Sequence, residues 1–269
     1  MQRMAALVVV LLASLAPATA RAQFSAYFLP VERGYVDSHA DLQLHYSRLS
    51  EEFCILGTCD ELVVNAAILS VEAQYALFDR LEVGVNVPFV VHAWASLGSG
   101  AGESEDNTEF GDILLNLKGK IVGFEWLSVA AFVNTSLPTH SGEGDRDSSI
   151  MQLGGAVTSR FLGILLGANL QGVWGINGDG DDAAFMGMDF YGGYKLFGML
   201  SLTLAFQYLH QIHPDTQGTL TPFAITPGVE LNPLLGLRVG VASRIAANDD
   251  ARYLFIGRAS VLFHAGYSF

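Results

Sequence analysis

Long apolar runs are missing from the bulk of this chain. After residue 22 no stretch reaches the roughly 18 consecutive apolar residues that a membrane-spanning helix needs, although 51% of all residues are apolar and the mean hydropathy is +0.35. Basic residues are scarce as well: 14 Lys and Arg face 27 Asp and Glu, for a formal net charge of −13. A chain this acidic lacks the basic surface that nucleic acids require, so no nucleic-acid partner is expected. The 8 prolines form no Pro/Ser-rich linker, so the chain reads as one domain after its N-terminal segment. GxSxG, HExxH and phosphate-cradling glycine loops are all absent, which removes the common hydrolase, metalloprotease and nucleotide-binding signatures. No cofactor is implied.

What is present begins with Arg3, an apolar run from Ala5 to Ala16, Pro17, and the small-residue sequence Ala20-Arg21-Ala22. This is the pattern of a secretory signal peptide over residues 1–22, with cleavage after Ala22, and too short a run to span a membrane comfortably. Removal of Arg3 and Arg21 takes the net charge to −15. The 2 cysteines stand close together in Cys54-Ile55-Leu56-Gly57-Thr58-Cys59. In an exported chain such a pair is read first as a loop disulfide, Cys54 to Cys59. A metal pair is the other reading, and it lacks further ligands at suitable spacing.

Apolar residues in the mature chain, 23–269, recur at every second place. Leu69, Val71, Ala73, Tyr75 and Leu77 alternate with Ser70, Glu72 and Gln74; Leu81, Val83, Val85, Val87 and Phe89 alternate with Glu82 and Asn86. Such segments are strands with one apolar and one polar face. Their connections alternate between short and long. Short ones fall at Asp79-Arg80, 123–126, Leu162-Gly163, 196–199 and 232–236. Longer polar ones fall at 49–60, 96–109, 138–148, 175–182, 211–218 and 248–251. Eleven connections make twelve strands with both ends on the short-turn side. That is the plan of an all-β, transmembrane antiparallel barrel with short periplasmic turns and long extracellular loops.

The final strand, Val261 to Phe269, keeps the alternation and ends in an aromatic residue, as closing strands of bacterial outer-membrane barrels do. It is expected to pair with the strand near His39–Arg48, and Phe269 to be read by the barrel-assembly machinery. Tyr75, Phe89, Phe110, Trp126, Phe161, Trp174, Tyr194, Tyr208 and Tyr253 lie near strand ends, where interfacial girdles would meet outer-membrane lipid. A soluble sandwich also alternates, but it explains neither the leader nor these aromatics.

If apolar faces point to lipid, polar faces line a lumen. The inward acids are then Glu72, Glu82, Asp112, Asp189 and Glu230, and the inward bases Lys118, Lys120, Arg160, Lys195, Arg238, Arg244 and Arg258. Seven bases against five acids predict a weak preference for anions. These charges either line a solute path or pair across the lumen and plug it, and a twelve-strand barrel lies between filled and water-channel sizes.

Val71-Glu72-Ala73-Gln74-Tyr75-Ala76-Leu77-Phe78-Asp79-Arg80-Leu81-Glu82-Val83-Gly84-Val85-Asn86-Val87-Pro88-Phe89, Phe110-Gly111-Asp112-Ile113-Leu114-Leu115-Asn116-Leu117-Lys118 and Ser136-Leu137-Pro138-Thr139 carry a family likeness. Together they resemble the outer-membrane transporter family associated with the meta-cleavage pathway of phenol degradation. The match spans roughly residues 65–145 and departs at Ala76 and His140, where glycine is usual. The resemblance implies passive transport of a small hydrophobic or aromatic solute.

Three further segments carry residue types that chemistry could use. Asn177-Gly178-Asp179-Gly180-Asp181-Asp182 spaces oxygen ligands as a calcium loop does, but Asp182 replaces the glycine and Met188 the bidentate Glu, so a solvated acidic loop is the stronger reading. Glu103, Glu105, Asp106 and Glu109 form a second acidic loop. Thr139-His140-Ser141, His210 and His213 do not assemble a nucleophile–base pair by spacing, so an enzyme is not expected. The expected function is an outer-membrane channel for small molecules; the alternative is a structural or surface-interaction barrel with a closed lumen.

Overall fold

The computed structural model describes residues 32–55, 58–97, 109–139, 149–176, 183–212, 219–234, 236–254 and 259–269. The proposed leader, the calcium-like loop, His140, Ser141, His213 and Arg258 lie outside these residues, as do the side chains of Tyr253 and both cysteines.

The chain forms β1 (His39–Ile55), β2 (Thr58–Leu77), β3 (Leu81–Leu97), β4 (Glu109–Phe110), β5 (Ile113–Gly123), β6 (Leu127–Leu137) and β7 (Ser149–Phe161). It continues with β8 (Ile164–Ile176), β9 (Ala183–Leu196), β10 (Leu200–Gln211), β11 (Phe223–Leu234), β12 (Leu237–Ala246) and β13 (Ala259–Ser268). Apart from the short β4, each strand pairs antiparallel with the strands before and after it in the chain, and β1 also pairs with β13, His39 opposite Ser268 through Arg48 opposite Ala259. The two-residue β4 extends the line of β5 along β3, so the wall is a closed barrel of twelve strands without an edge.

Three of the short turns are set by backbone geometry. Phe78-Asp79, Leu162-Gly163 and Phe197-Gly198 have φ between 49° and 80°, the pair of left-handed residues of a type I′ turn. Phe78, Leu162 and Phe197, each at least 81% exposed, occupy the first position. An apolar residue in that conformation is unusual, and at a membrane surface its exposed side chain has apolar surroundings to enter.

Two expectations about connections need correction. The segment 49–60 is not a long loop: β1 runs to Ile55 and β2 starts at Thr58, a ladder that places Cys54 opposite Cys59. The connection at 248–251 is longer than read, carrying a helix over Asp249–Leu254. Asn248 caps it, accepting from the Ala251 N–H at 3.1 Å.

The motifs that carry the family likeness converge on one irregularity of the wall. Pro88 has no N–H to give across to β5, and the ladder slips by one residue between the Asn86–Leu114 and Phe89–Phe110 pairs. Gly111 fits because a Cβ there would stand 2.9 Å from the Pro88 ring. The Gly111 carbonyl accepts from the Thr139 hydroxyl at 3.2 Å, while Asp112 accepts from the Thr139 N–H at 3.0 Å.

Burial is inverted relative to a soluble protein. Leu202, Leu204, Phe206, Val239, Val241 and Phe263 are exposed on the outside, whereas Glu82, Lys118, Glu230 and Arg238 are buried inside. The apolar exterior is the face a barrel presents to hydrocarbon. Tyr75, Phe110, Trp126, Phe161, Tyr194 and Tyr208 are exposed near strand ends, and Phe89 packs on Phe110 with ring centroids 4.7 Å apart.

Candidate lumenal site

Because side chains alternate, every polar residue opposite the lipid face points inward, and the barrel collects them in one interior. Their arrangement depends on a segment the strand pattern does not register. Residues 32–38, before β1, lie inside the barrel at the short-turn end.

Gly34 is pressed against β6 and β7: its N–H donates to Thr158 Oγ1 at 2.8 Å, and a Cβ would stand 2.4 Å from the Ser128 carbonyl. Tyr35 is buried beneath Arg160, whose guanidinium carbon lies 3.6 Å from the ring centroid, a cation–π contact worth about 2 kcal/mol when desolvated. The Asp37 N–H donates to Glu82 Oε2 at 2.9 Å. Glu32 accepts from Asn116 at 3.2 Å and from Asn134 at 2.9 Å.

The charges around this segment are paired. Lys118 Nζ lies 2.6 Å from Glu82 Oε1 and 3.7 Å from Glu32. Arg238 makes two 3.1 Å bonds to Asp41. His39 stands between Asp37 at 3.2 Å and Asp41 and Glu72, each at 3.5 Å; His264 stands between Asp41 at 3.6 Å and Glu230 at 3.3 Å.

Toward the long-loop end the lumen opens into a cavity of about 490 Å³, floored by Glu32 and Arg33. That volume is in the range of small-molecule pockets, about 300–1,000 Å³. Its wall carries a hydrogen-bonded series of amides, one per strand. Asn116 on β5 donates to Asn134 on β6, Asn134 to Gln152 on β7, and Gln152 to Gln171 on β8; Gln171 donates at 3.1 Å to Asp189 on β9.

The expected inward residues are thus distributed over distinct tasks. Glu82 and Lys118 hold the N-terminal segment and Arg160 covers Tyr35. Glu72 and Arg244 line the cavity, Asp189 ends the amide series, and Arg238 and Glu230 belong to the Asp41–histidine network. Lys120 and Lys195 lie near the short-turn end, at the Arg80 and Gly163 backbones. Asp112 accepts from the Thr139 N–H at the long-loop end of β5. With Glu32, Asp37 and Asp41 added against Arg33 alone, the basic surplus behind the anion preference disappears among the described residues.

The strand pattern missed residues 32–38, His39, Asp41 and His264. Val31-Glu32-Arg33-Gly34-Tyr35-Val36-Asp37 has one weak signal, a dense set of charges and an aromatic just ahead of the first strand in an otherwise charge-poor chain. Among the described residues no group of His, Cys, Asp and Glu is arranged to hold a metal ion.

No family model and no curated protein matches the chain. Solved structures do match its fold. An outer membrane channel from Pseudomonas putida F1 superposes with a TM-score of 0.62 at 12% identity, covering 92% of this chain and 100% of that one. The NanC porin superposes with a TM-score of 0.56 at 7% identity over 86% and 98% of the two chains. The translocator domain of the autotransporter NalP from Neisseria meningitidis gives 0.52 at 10% over 87% and 89%. At these identities the likeness is one of fold: the chain has the architecture of outer-membrane barrels.

Proposed function

We propose that this protein is a narrow outer-membrane channel that passes small molecules passively. The observation that carries this reading is the 490 Å³ cavity enclosed by a barrel whose outer face is apolar. Residues 32–38 fill the short-turn half, so they set the flux: solute enters from the long-loop side, rests in the cavity, and leaves past Tyr35 and Arg160. The family likeness of residues 65–145 supports a hydrophobic or aromatic solute. The chain on this reading is exported by its leader and assembled through the strand ending at Phe269, with Cys54 and Cys59 joined in the long β1–β2 hairpin.

The closed-lumen alternative is favoured by one specific observation, the pairing of interior charges around the docked segment. Planar-bilayer conductance in KCl separates the two. The wild type should give small, steady current steps. Gly34→Val, which forces a side chain into the Ser128 carbonyl, should dislodge residues 32–38 and enlarge the steps several-fold. Absence of current from both proteins, with folding verified by a heat-dependent gel shift, would overturn the channel reading.

A further inference from the structure

The short turns carry the wrong residues for an aqueous setting. The first place of a type I′ turn favours Asn or Gly, which take a positive φ with the least strain. Here that place holds Phe78, Leu162 and Phe197, with φ of 54°, 49° and 50°, and all three side chains are almost fully exposed. The β5–β6 turn has the same character. Phe124 and Trp126 are each more than half exposed, their rings stacked with centroids 6.3 Å apart. The fifth short connection, Leu234-Leu235-Gly236-Leu237, repeats this composition in sequence. Asp79, Arg80 and Glu125 are the charged residues of the five turns.

Packing within the barrel does not offset the strain of these turns, because the side chains stand open. A cover from outside the chain is required. Three observations point to lipid as that cover. First, the apolar tips stand on every short-turn hairpin around the rim, whereas a protein docked on one side would need them gathered into one patch. Second, the wall adjoining each tip is already the lipid face. Leu81 and Val83 follow Phe78, Ile164 and Leu166 follow Leu162, and Met199 and Leu202 follow Phe197, all of them exposed. Third, the wall is short. β12 and β13 have 10 residues each; at about 3.3 Å per residue and about 40° of tilt they rise about 25 Å, the height of the apolar band alone. On that side no length of strand remains to lift the turns clear of the membrane.

We propose that the short turns are themselves membrane anchors, with Phe78, Phe124, Trp126, Leu162 and Phe197 inserted into the phospholipid leaflet on the short-turn side. Aromatic and large apolar residues suit the boundary between acyl chains and headgroups. The apolar zone of this barrel thus continues past the ends of its strands and around the turns. The anchoring holds whether or not the lumen conducts, so its test is separate from the test of the channel reading.

The sign of one kind of substitution decides the matter. Leu162→Asn and Phe197→Asn each place before a glycine the residue that a type I′ turn favours. In water the exchange relieves backbone strain and should raise stability. In lipid it replaces inserted hydrocarbon with an amide and should lower it. In guanidinium unfolding of the full chain in phosphatidylcholine vesicles, each variant should lower the folding equilibrium constant at least threefold, and the two together about tenfold. An unchanged or raised constant overturns the proposal. Should a variant fail to refold, Leu162→Trp and Phe197→Trp give an independent reading. The emission added by each new tryptophan should be quenched by lipids with dibrominated chains and spared by aqueous iodide. Quenching by iodide without an effect of the brominated lipids overturns the proposal and leaves a periplasmic protein as the cover.

Discussion

The buried pair Lys118–Glu82 offers a sharp test of how the N-terminal segment is held. Lys118 Nζ sits 2.6 Å from Glu82 Oε1, both side chains are fully buried, and Glu82 Oε2 accepts the Asp37 N–H. Glu82→Gln keeps an acceptor for Asp37 but leaves the ammonium with Glu32 at 3.7 Å as its remaining carboxylate. Breaking one side of a buried pair costs about 3–5 kcal/mol, because a desolvated charge is left behind. Lys118→Met should cost a similar amount, stranding the carboxylate. The double variant removes both charges together, so its loss should fall about 2–3 kcal/mol short of the sum of the singles. Guanidinium unfolding of barrels refolded into lipid vesicles, followed by tryptophan fluorescence, measures all four corners of the cycle. Additivity within about 0.5 kcal/mol, the behaviour of independent sites, would refute the argument that these two groups form a unit.

Gly167 lies under the ring of Tyr191, and a Cβ there would stand 2.1 Å from it. Gly167→Ala should therefore cost about 1–3 kcal/mol by overpacking, and should loosen Thr158, which contacts Tyr191 and holds Gly34. Gly155→Ala, whose nearest neighbour is 3.7 Å away, should stay within about 0.5 kcal/mol in the same unfolding assay. Cys54 and Cys59 are register partners, at a cross-strand spacing that a disulfide can bridge. The intact mass of oxidised protein should be lower than that of reduced protein by two hydrogens, and recovery of two alkylatable thiols without reductant would exclude the bond.

The legible and illegible parts of this protein separate by the range of the physics involved. Strand alternation is a local property. It therefore revealed twelve strands, the lipid-facing sets such as Val71 and Tyr75, the short turn at Leu162-Gly163, and closure of the last strand on His39–Arg48, while the first turn centres on Phe78-Asp79, one residue before Asp79-Arg80. Hairpin length was less legible: Glu51, Glu52, Asp60 and Glu61 look like a solvated loop, yet their backbone continues the β1–β2 ladder. The segments at Pro88, Gly111-Asp112 and Thr139 were visible as separate words, and only the fold brought them into one bulge.

What the sequence by itself determined is which residues face lipid and which face inward, because a period of two follows from the pleat of one strand. What only the tertiary structure decided is how the interior is divided. Gly34 meets Thr158 across 124 residues, and Asp41 meets Arg238 across 197. Such contacts carry no periodic trace, since they arise when a closed barrel brings opposite walls within reach of a segment that is not itself a strand.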